Sequence, residues 1–385
     1  MYNKAKKALI NYLEQIEQDE YTARCHLSGN GAVECFENKL QSFYGVKHAL
    51  CVDSATNGLL YLALAVGLKN AEIVTSPLSY GATISGALWL NNKFHFADID
   101  NTLNISPDIV RRIIRENPRI KALYAVDFAG IPHDTFEIRQ VCNEFGVWYF
   151  ADAAQSLGAE INGAKASSLA DAFVTSFSAG KTVFCGEGGC ILTNNTDLYK
   201  RLVTITQHPY RMKRDVGIDT YSELGLNGRI NPLAAIVGDA TFDQHLQNLK
   251  LNQTEILKLY NEIDTFHSVV PFRFAEKQCL PAFFHLPIIV NDEQGFEQQF
   301  CHLSMKLKRM IYGFNKATFK LLPEQMKRIG KSNAVKSGNI PRATLLMEKL
   351  FVLHSKCQES TDLINFNDYP VKDQTEENRR VPKNF

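Results

Sequence analysis

Between His48 and Asn194 short apolar runs alternate with stretches of helical spacing, and that alternation limits what the chain can fold into. "HALCV" (His48–Val52) reads as a strand and "TNGLLYLALAVGL" (Thr56–Leu68) as a helix. "AEIVTS" and "FHFADI" read as strands, with "GATISGALWL" between them as a helix. "IKALYAV" (Ile120–Val126) is a further strand, followed by a helix near Thr135–Phe145 and the strand "VWYFAD" (Val147–Asp152). "DAFVTSFS" and "GGCILTN" complete the series. Strand–helix–strand alternation favours a mainly parallel sheet with helices on both faces, an α/β architecture. Such sheets bind ligands at the carboxyl ends of their strands. Reactive residues are therefore expected just after strands.

Past Asn231-Pro232 the pattern changes. Residues from about Ala240 to Glu262 form one long helical stretch that would carry the chain into a second unit, with "FFHLPIIV" (Phe283–Val290) as a strand there. The expected organisation is an N-terminal helical segment at 1–25, a large domain at 26–240, a smaller α+β domain at 241–365 and a polar tail at 366–385. At 385 residues the chain is long enough for two such units. The amphipathic N-terminus does not read as a leader, and the longest apolar run, Leu59–Leu68, is too short to span a bilayer. A net charge of +1 supplies no long-range field for nucleic acid or a membrane surface. Nine scattered cysteines show neither metal-ligand spacing nor a disulfide framework, which suits a reducing cytoplasm.

Four places after strands could carry chemistry. "DSATNG" (Asp53–Gly58) opens a helix, where free amides and the helix dipole suit a phosphate; a plain Ser/Thr cap is the alternative. Tyr80, in "SPLSYGAT", is either a stacking aromatic or a core side chain. Asp152 ends an apolar strand, so it is either a poorly solvated acid seeking a cation or an N-cap. Lys181, in "SFSAGKT" (Ser176–Thr182), is either a reactive amine or a solvated surface charge. A phosphate loop would need Gly where this chain has Thr175, which argues against that reading of Gly-Lys-Thr. Taken in order, the four are the parts needed to hold pyridoxal phosphate. A lysine amine can bond to the aldehyde, and an acid can keep the pyridinium nitrogen protonated so that the ring acts as an electron sink.

At this point the sequence resembles the DegT-type (DegT/StrS) sugar aminotransferases. The block "FADAAQSLGAEINGAKASSLADAFVTSFSAGKTVFCGEGGCILTNN" (Phe150–Asn195) has Asp-Ala-Ala-Gln, Ser-Phe before the lysine and Gly-Glu-Gly-Gly at the family's spacing. The resemblance implies the fold-type I architecture of pyridoxal-phosphate transferases, with a mainly parallel seven-stranded sheet and a smaller C-terminal α+β domain. It implies that Lys181 is the Schiff-base lysine and Asp152 the pyridinium partner. Gln155 would lie near the ring's phenolic oxygen, and Ser176 would bind the phosphate with the Ala55–Thr56 turn. Tyr80 would stack on the ring, and Asn227, in "GLNGRINPLAA", would reach the cofactor of a neighbouring subunit in a homodimer. The implied reaction is a ping-pong transamination from an amino acid, by resemblance glutamate, to a keto sugar, nucleotide-linked, or to a keto-cyclitol. No metal is implied.

The chain departs from the family on the substrate side and at the subunit junction. It reads "DFAG" (Asp127–Gly130) where His-Leu-Tyr-Gly is frequent, Ala55 for a Gly, Gly228 for an aromatic and Pro232 for a Glu. The loop "HPYRMKR" (His208–Arg214) would either hold a nucleotide diphosphate or be a solvated charge run. Two rivals keep the cofactor: a sugar dehydratase, whose relatives replace the lysine with His, and a non-catalytic cofactor-binding regulator.

Overall fold

The computed structural model describes residues 2–19, 22, 24–218, 225–270, 272, 278–306, 311–316, 320–337 and 339–355. Apolar runs bounded by turn-forming residues become strands β1 (His48–Val52), β2 (Glu72–Thr75), β3 (Lys93–Phe96), β4 (Ile120–Val126) and β5 (Trp148–Asp152). A two-residue hairpin of β6 (Glu160–Ile161) and β7 (Ala164–Lys165) precedes β8 (Ala172–Ser176) and β9 (Gly189–Thr193). Around them lie α1 (Tyr2–Gln18), α2 (Ala32–Tyr44), α3 (Ala55–Ala65), α4 (Ala82–Trp89), α5 (Pro107–Glu116), α6 (Thr135–Phe145), α7 (Thr196–Thr206) and α8 (Pro209–Val216).

The second part of the chain starts with α9 (Pro232–Ile263), and continues through β10 (Val269–Val270), β11 (Cys279–Leu280), β12 (Leu286–Val290) and α10 (Glu293–Lys306). It ends with β13 (Ile311–Lys316), α11 (Leu322–Arg328), β14 (Val335–Ser337), α12 (Pro341–Met347) and β15 (Leu350–Ser355). The polar tail expected at 366–385 lies outside the described residues.

The large sheet has the order β1-β9-β8-β5-β4-β2-β3-β14. All neighbours pair in parallel except β9, which runs antiparallel to both β8 and β1. The expected seven strands are present, and an eighth corrects the count. Val335–Ser337 returns from the second unit to pair with Phe94 and His95. A three-residue strand has too little pattern to be read locally; its place is set by the open edge of β3, which it covers.

Strands buried on both faces read as continuous apolar runs. Two clusters accordingly sandwich the sheet, one under α2, α5, α6 and α9, the other under α3, α4, α7 and α8. Helix α9 is capped by Asn231, whose Oδ1 accepts from the Leu233 N–H at 2.9 Å, and Pro232 fills its first turn. Its N-terminal half packs on the large sheet through Ala235 and Phe242, and its C-terminal half on the second unit through Ile256 and Leu259. There a four-stranded antiparallel sheet runs β10-β12-β15-β13. The two units are also joined by hydrogen bonds. Both carboxylate oxygens of buried Asp98 accept from the Arg342 and Ala343 N–H groups that open α12, at 2.8 and 2.9 Å.

Candidate active site

Because β1, β2, β5 and β8 are mutually parallel, their carboxyl ends open on one edge of the sheet, and so do the segments that follow them. After β1, Ser54 caps α3, its Oγ accepting from the Asn57 N–H at 3.1 Å. The cap reading of "DSATNG" is thus right for Ser54. It leaves the first-turn N–H groups of Ala55 and Thr56 without intrahelical acceptors, and these line a cavity of about 100 Å³. Strand β9 passes close beneath. Gly189 pairs with both Val52 and Ser176, and a Cβ there would run into the Ala55 nitrogen. The last Gly of Gly-Glu-Gly-Gly is what lets the helix start sit this low.

Asp152 and Lys181 line that same cavity. Asp152 Oδ2 accepts from the Thr83 hydroxyl at 2.6 Å and Oδ1 from the Ala154 N–H at 3.1 Å. The Thr83 hydroxyl donates its one hydrogen to Asp152, so in the 2.6 Å contact with Ser79 the Ser79 hydroxyl donates. Burial pushes the Asp152 carboxyl above its ordinary value, against Thr83, the Ala154 N–H and the Lys181 charge. Burial likewise pulls the Lys181 amine below its ordinary value, and Asp152 only partly offsets it. In each group desolvation outweighs the attraction between them. Lys181 Nζ lies 4.4 Å from the centroid of the Phe284 ring, over its face.

Thr175 lies inside β8, and no helix starts at Lys181, so the phosphate-loop reading of Gly-Lys-Thr has no structural counterpart. Ser176, at the end of β8, is buried, with its Oγ 3.2 Å from that of Ser178; both hydroxyls line the cavity. Gln155 also lines it, and its Oε1 accepts from the Ala129 N–H at 2.8 Å. Tyr80 stands on the rim, 74% exposed. Asn227 is exposed and away from the lining of its own chain's cavity.

Thr83, Ser79 and Phe284 were missed by sequence reasoning. The first two sit in "SPLSYGAT", where small hydroxyl residues at a helix start were visible. Phe284 belongs to the second unit, and nothing local ties it to the lysine. Gly228 is explained by its neighbour: a Cβ there would lie 2.5 Å from the hydroxyl of Tyr61, which in turn contacts Asp53.

In the segment "HPYRMKR", Arg211 is buried while Lys213 and Arg214 are exposed, so the solvated-charge reading does not hold for Arg211. Most of the segment lies in α8, and Arg211, 1% exposed, binds Glu37 through both nitrogens at 3.0 and 2.7 Å and Asp215 at 3.1 Å. Arg214 pairs with Asp215 at 2.5 Å. A buried guanidinium needs carboxylate partners; Asp215 is its i+4 neighbour on α8, but Glu37 lies 174 positions away, so the charge run alone conceals that pairing. Arg229, by contrast, is half-buried beside Asn227, and among the described residues it has no carboxylate within ion-pair distance.

Comparison with known proteins gives the frame for this geometry. A family model described as "DegT/DnrJ/EryC1/StrS aminotransferase family" matches residues 7–364. The chain is 32% identical over 237 residues to a UDP-4-amino-4,6-dideoxy-N-acetyl-beta-L-altrosamine transaminase of Campylobacter jejuni, spanning 61% of this chain and 62% of that one. The match thus covers about three-fifths of that curated relative's length. Among solved structures, a DegT DnrJ EryC1 StrS aminotransferase from Brucella abortus superposes with a TM-score of 0.75 at 20% identity, covering 94% and 93% of the two chains. Helicobacter pylori PseC, an aminotransferase involved in the biosynthesis of pseudoaminic acid, does so with 0.71 at 23%, covering 93% and 92%. The fold is that of the fold-type I pyridoxal-phosphate transferases.

Proposed function

The chain belongs to the DegT/DnrJ/EryC1/StrS aminotransferase family, and from that premise we propose that it is a pyridoxal-phosphate aminotransferase moving an amino group from an amino acid, glutamate, to the ketone of a nucleotide-linked sugar or keto-cyclitol. The observation that carries this is one cavity lined by a desolvated lysine, a buried acid, helix-start amides and serine hydroxyls. Those groups fit the cofactor. The Ala55 and Thr56 amides with Ser176 and Ser178 are donors for a phosphate, Asp152 is the acid for a ring nitrogen, and Lys181 is the amine for an aldehyde. When bound, the group would supply an electron sink for the substrate's α-carbon.

The chain's own residues do the rest. Lys181 would move a proton at the substrate carbon, and its lowered pKa leaves more neutral amine available as base near neutral pH. Thr83 and the Ala154 N–H hold Asp152 in one orientation at the cavity wall. Gln155 is fixed in the cavity wall by the Ala129 N–H. Tyr80 on the rim would close over one ring face, and half-buried Arg229, beside Asn227, is placed to meet an anionic group. We place the reaction in a homodimer, with Asn227 serving the partner's cavity, since it is exposed and does not line the Lys181 cavity of its own chain. We also place it in the cytoplasm; Cys51 and Cys190, which face each other across β1 and β9, form no disulfide.

The test is a half-reaction. Purified chain mixed with pyridoxal phosphate should show a visible absorbance band that glutamate bleaches with formation of 2-oxoglutarate, and Lys181→Ala should lose both. Wild-type chain that neither binds the cofactor nor yields the keto acid would defeat the assignment. A panel of keto sugars as second substrates then identifies the acceptor.

A further inference from the structure

Asp127, the first residue of "DFAG", faces away from the cavity. It is 0% exposed, and its carboxylate accepts four hydrogen bonds. Oδ1 accepts from the His133 Nδ1–H at 2.6 Å and from the His133 backbone N–H at 3.0 Å. Oδ2 accepts from the Ser156 hydroxyl at 2.6 Å and the Ser167 hydroxyl at 2.8 Å. An ionised carboxylate only accepts, so His133 presents its Nδ1–H to Asp127 while its Nε2 hydrogen-bonds the Tyr149 hydroxyl, which contacts Thr135 at 2.9 Å. The cluster ties the end of β4 to β5, to the start of α6 and to the turn after Asp152. The Asp127 backbone joins in: its N–H donates to the Asp152 carbonyl at 3.2 Å, and its own carbonyl accepts from the Gly130 N–H at 3.2 Å.

From this anchor the turn Phe128–Gly130 reaches both walls around Lys181. Ala129 and Gly130 take positive φ of 58° and 81°. The Ala129 N–H holds the Gln155 side chain, the Ala129 carbonyl accepts from the His285 N–H at 3.2 Å, and the Gly130 carbonyl accepts from the Ala282 N–H at 2.8 Å. The turn is wedged in place: a Cβ on Gly130 would lie 2.7 Å from the Gln155 carbonyl oxygen and 2.8 Å from the Phe284 nitrogen. Ser156, which donates to Asp127, is the residue after Gln155. Phe284 from the second unit, whose ring lies against the Lys181 amine, and Gln155 from the large sheet, which lines the same cavity, are thus referred to one buried carboxylate.

We propose that Asp127 is a positioning residue: by holding Ser156 and the Phe128–Gly130 turn together it seats Phe284 over the Lys181 amine and Gln155 in the wall of the same cavity. The assignment of a role to Lys181 rests on the function proposed above; the geometry and the following test do not. If Asp127 seats Phe284, loosening it admits water to Lys181, and the amine returns toward ordinary lysine behaviour.

The experiment reads Lys181 directly in the full chain, dialysed free of carbonyl compounds. Competitive acetylation with acetic anhydride across pH 6–11, followed by mass spectrometry of the Lys181 peptide, gives the midpoint of its protonation. Asp127→Asn and Phe284→Ala are each expected to raise that midpoint by about one pH unit. The double variant should rise no further than Phe284→Ala alone, because both act on one seat. Full additivity, or a folded Asp127→Asn with an unshifted midpoint, overturns the proposal. If Asp127→Asn does not fold by circular dichroism, Ser156→Ala, which removes one of the four bonds, decides instead: an upward shift supports the role and an unchanged midpoint defeats it. These outcomes do not depend on transamination, so a chain inactive with glutamate leaves them readable.

Discussion

At the scale of single residues, the site is a place where charge is costly. Asp152 and Lys181 both shift toward their neutral forms, because burial removes more hydration than their mutual attraction returns. The sign follows from linkage. A carboxyl whose folded pKa is raised destabilises the fold as pH rises from its unfolded value of 3.8 through its folded value. Asp152→Asn removes that charge, so we expect its cofactor-free melting temperature to lose the decline that the wild type shows over this range and to equal or exceed wild type at pH 7. Transamination should fall at least about 100-fold, as for loss of a group acting at the reacting ring. Thermal melts between pH 3 and 8, run beside the half-reaction assay, test both; a variant less stable than wild type at pH 7 contradicts the argument. Which residues carry charge to the site was legible in the sequence, since Asp152 and Lys181 each follow a strand. Which hydroxyl orients the acid was not, because Thr83 meets Asp152 across 69 positions of chain.

At the scale of elements, the start of α3 is set by neighbours that leave no room for a side chain. Gly189 in β9 lets the Ala55 amide descend to the cavity, and Gly228 makes space for Tyr61. Gly228→Ala is expected to cost about 1–3 kcal/mol by overpacking, since the new methyl meets a ring held by Asp53. Shortening that ring as well, in Gly228→Ala with Tyr61→Leu, should recover a large part of the loss; denaturant melts of the two variants measure it, and a double variant worse than the single one rules out the steric account. Helix and strand positions themselves were read well from periodicity. Ile120–Val126 and Thr135–Phe145 form within the bounds expected, because long runs with one clear period leave little competition. The exception was "HPYRMKR". Its helical phase puts Arg211 inward against Glu37 on α2, a partner 174 positions away.

At the scale of the whole molecule, the second unit completes the site by bringing Phe284 over Lys181, and a second chain is expected to complete it again through Asn227. Lys181→Ala and Asn227→Ala chains, each inactive alone, should regain about a quarter of wild-type activity when refolded together at equal ratio, because random pairing yields half heterodimers with one intact site each. Turnover of the mixture, compared with each variant separately, is the measurement; no recovery excludes shared sites. By itself the sequence determined the layered α/β sheet and the strand ends near which Lys181 and Asp152 lie, since these follow from local periodicity and short spacings. Only the tertiary structure decided that an eighth strand closes the sheet, that Arg211 is a structural cation and that Asp127 turns inward to brace the walls of the cavity. Each of those depends on desolvated partners brought together by packing from distant parts of the chain, and no local pattern records such a pairing.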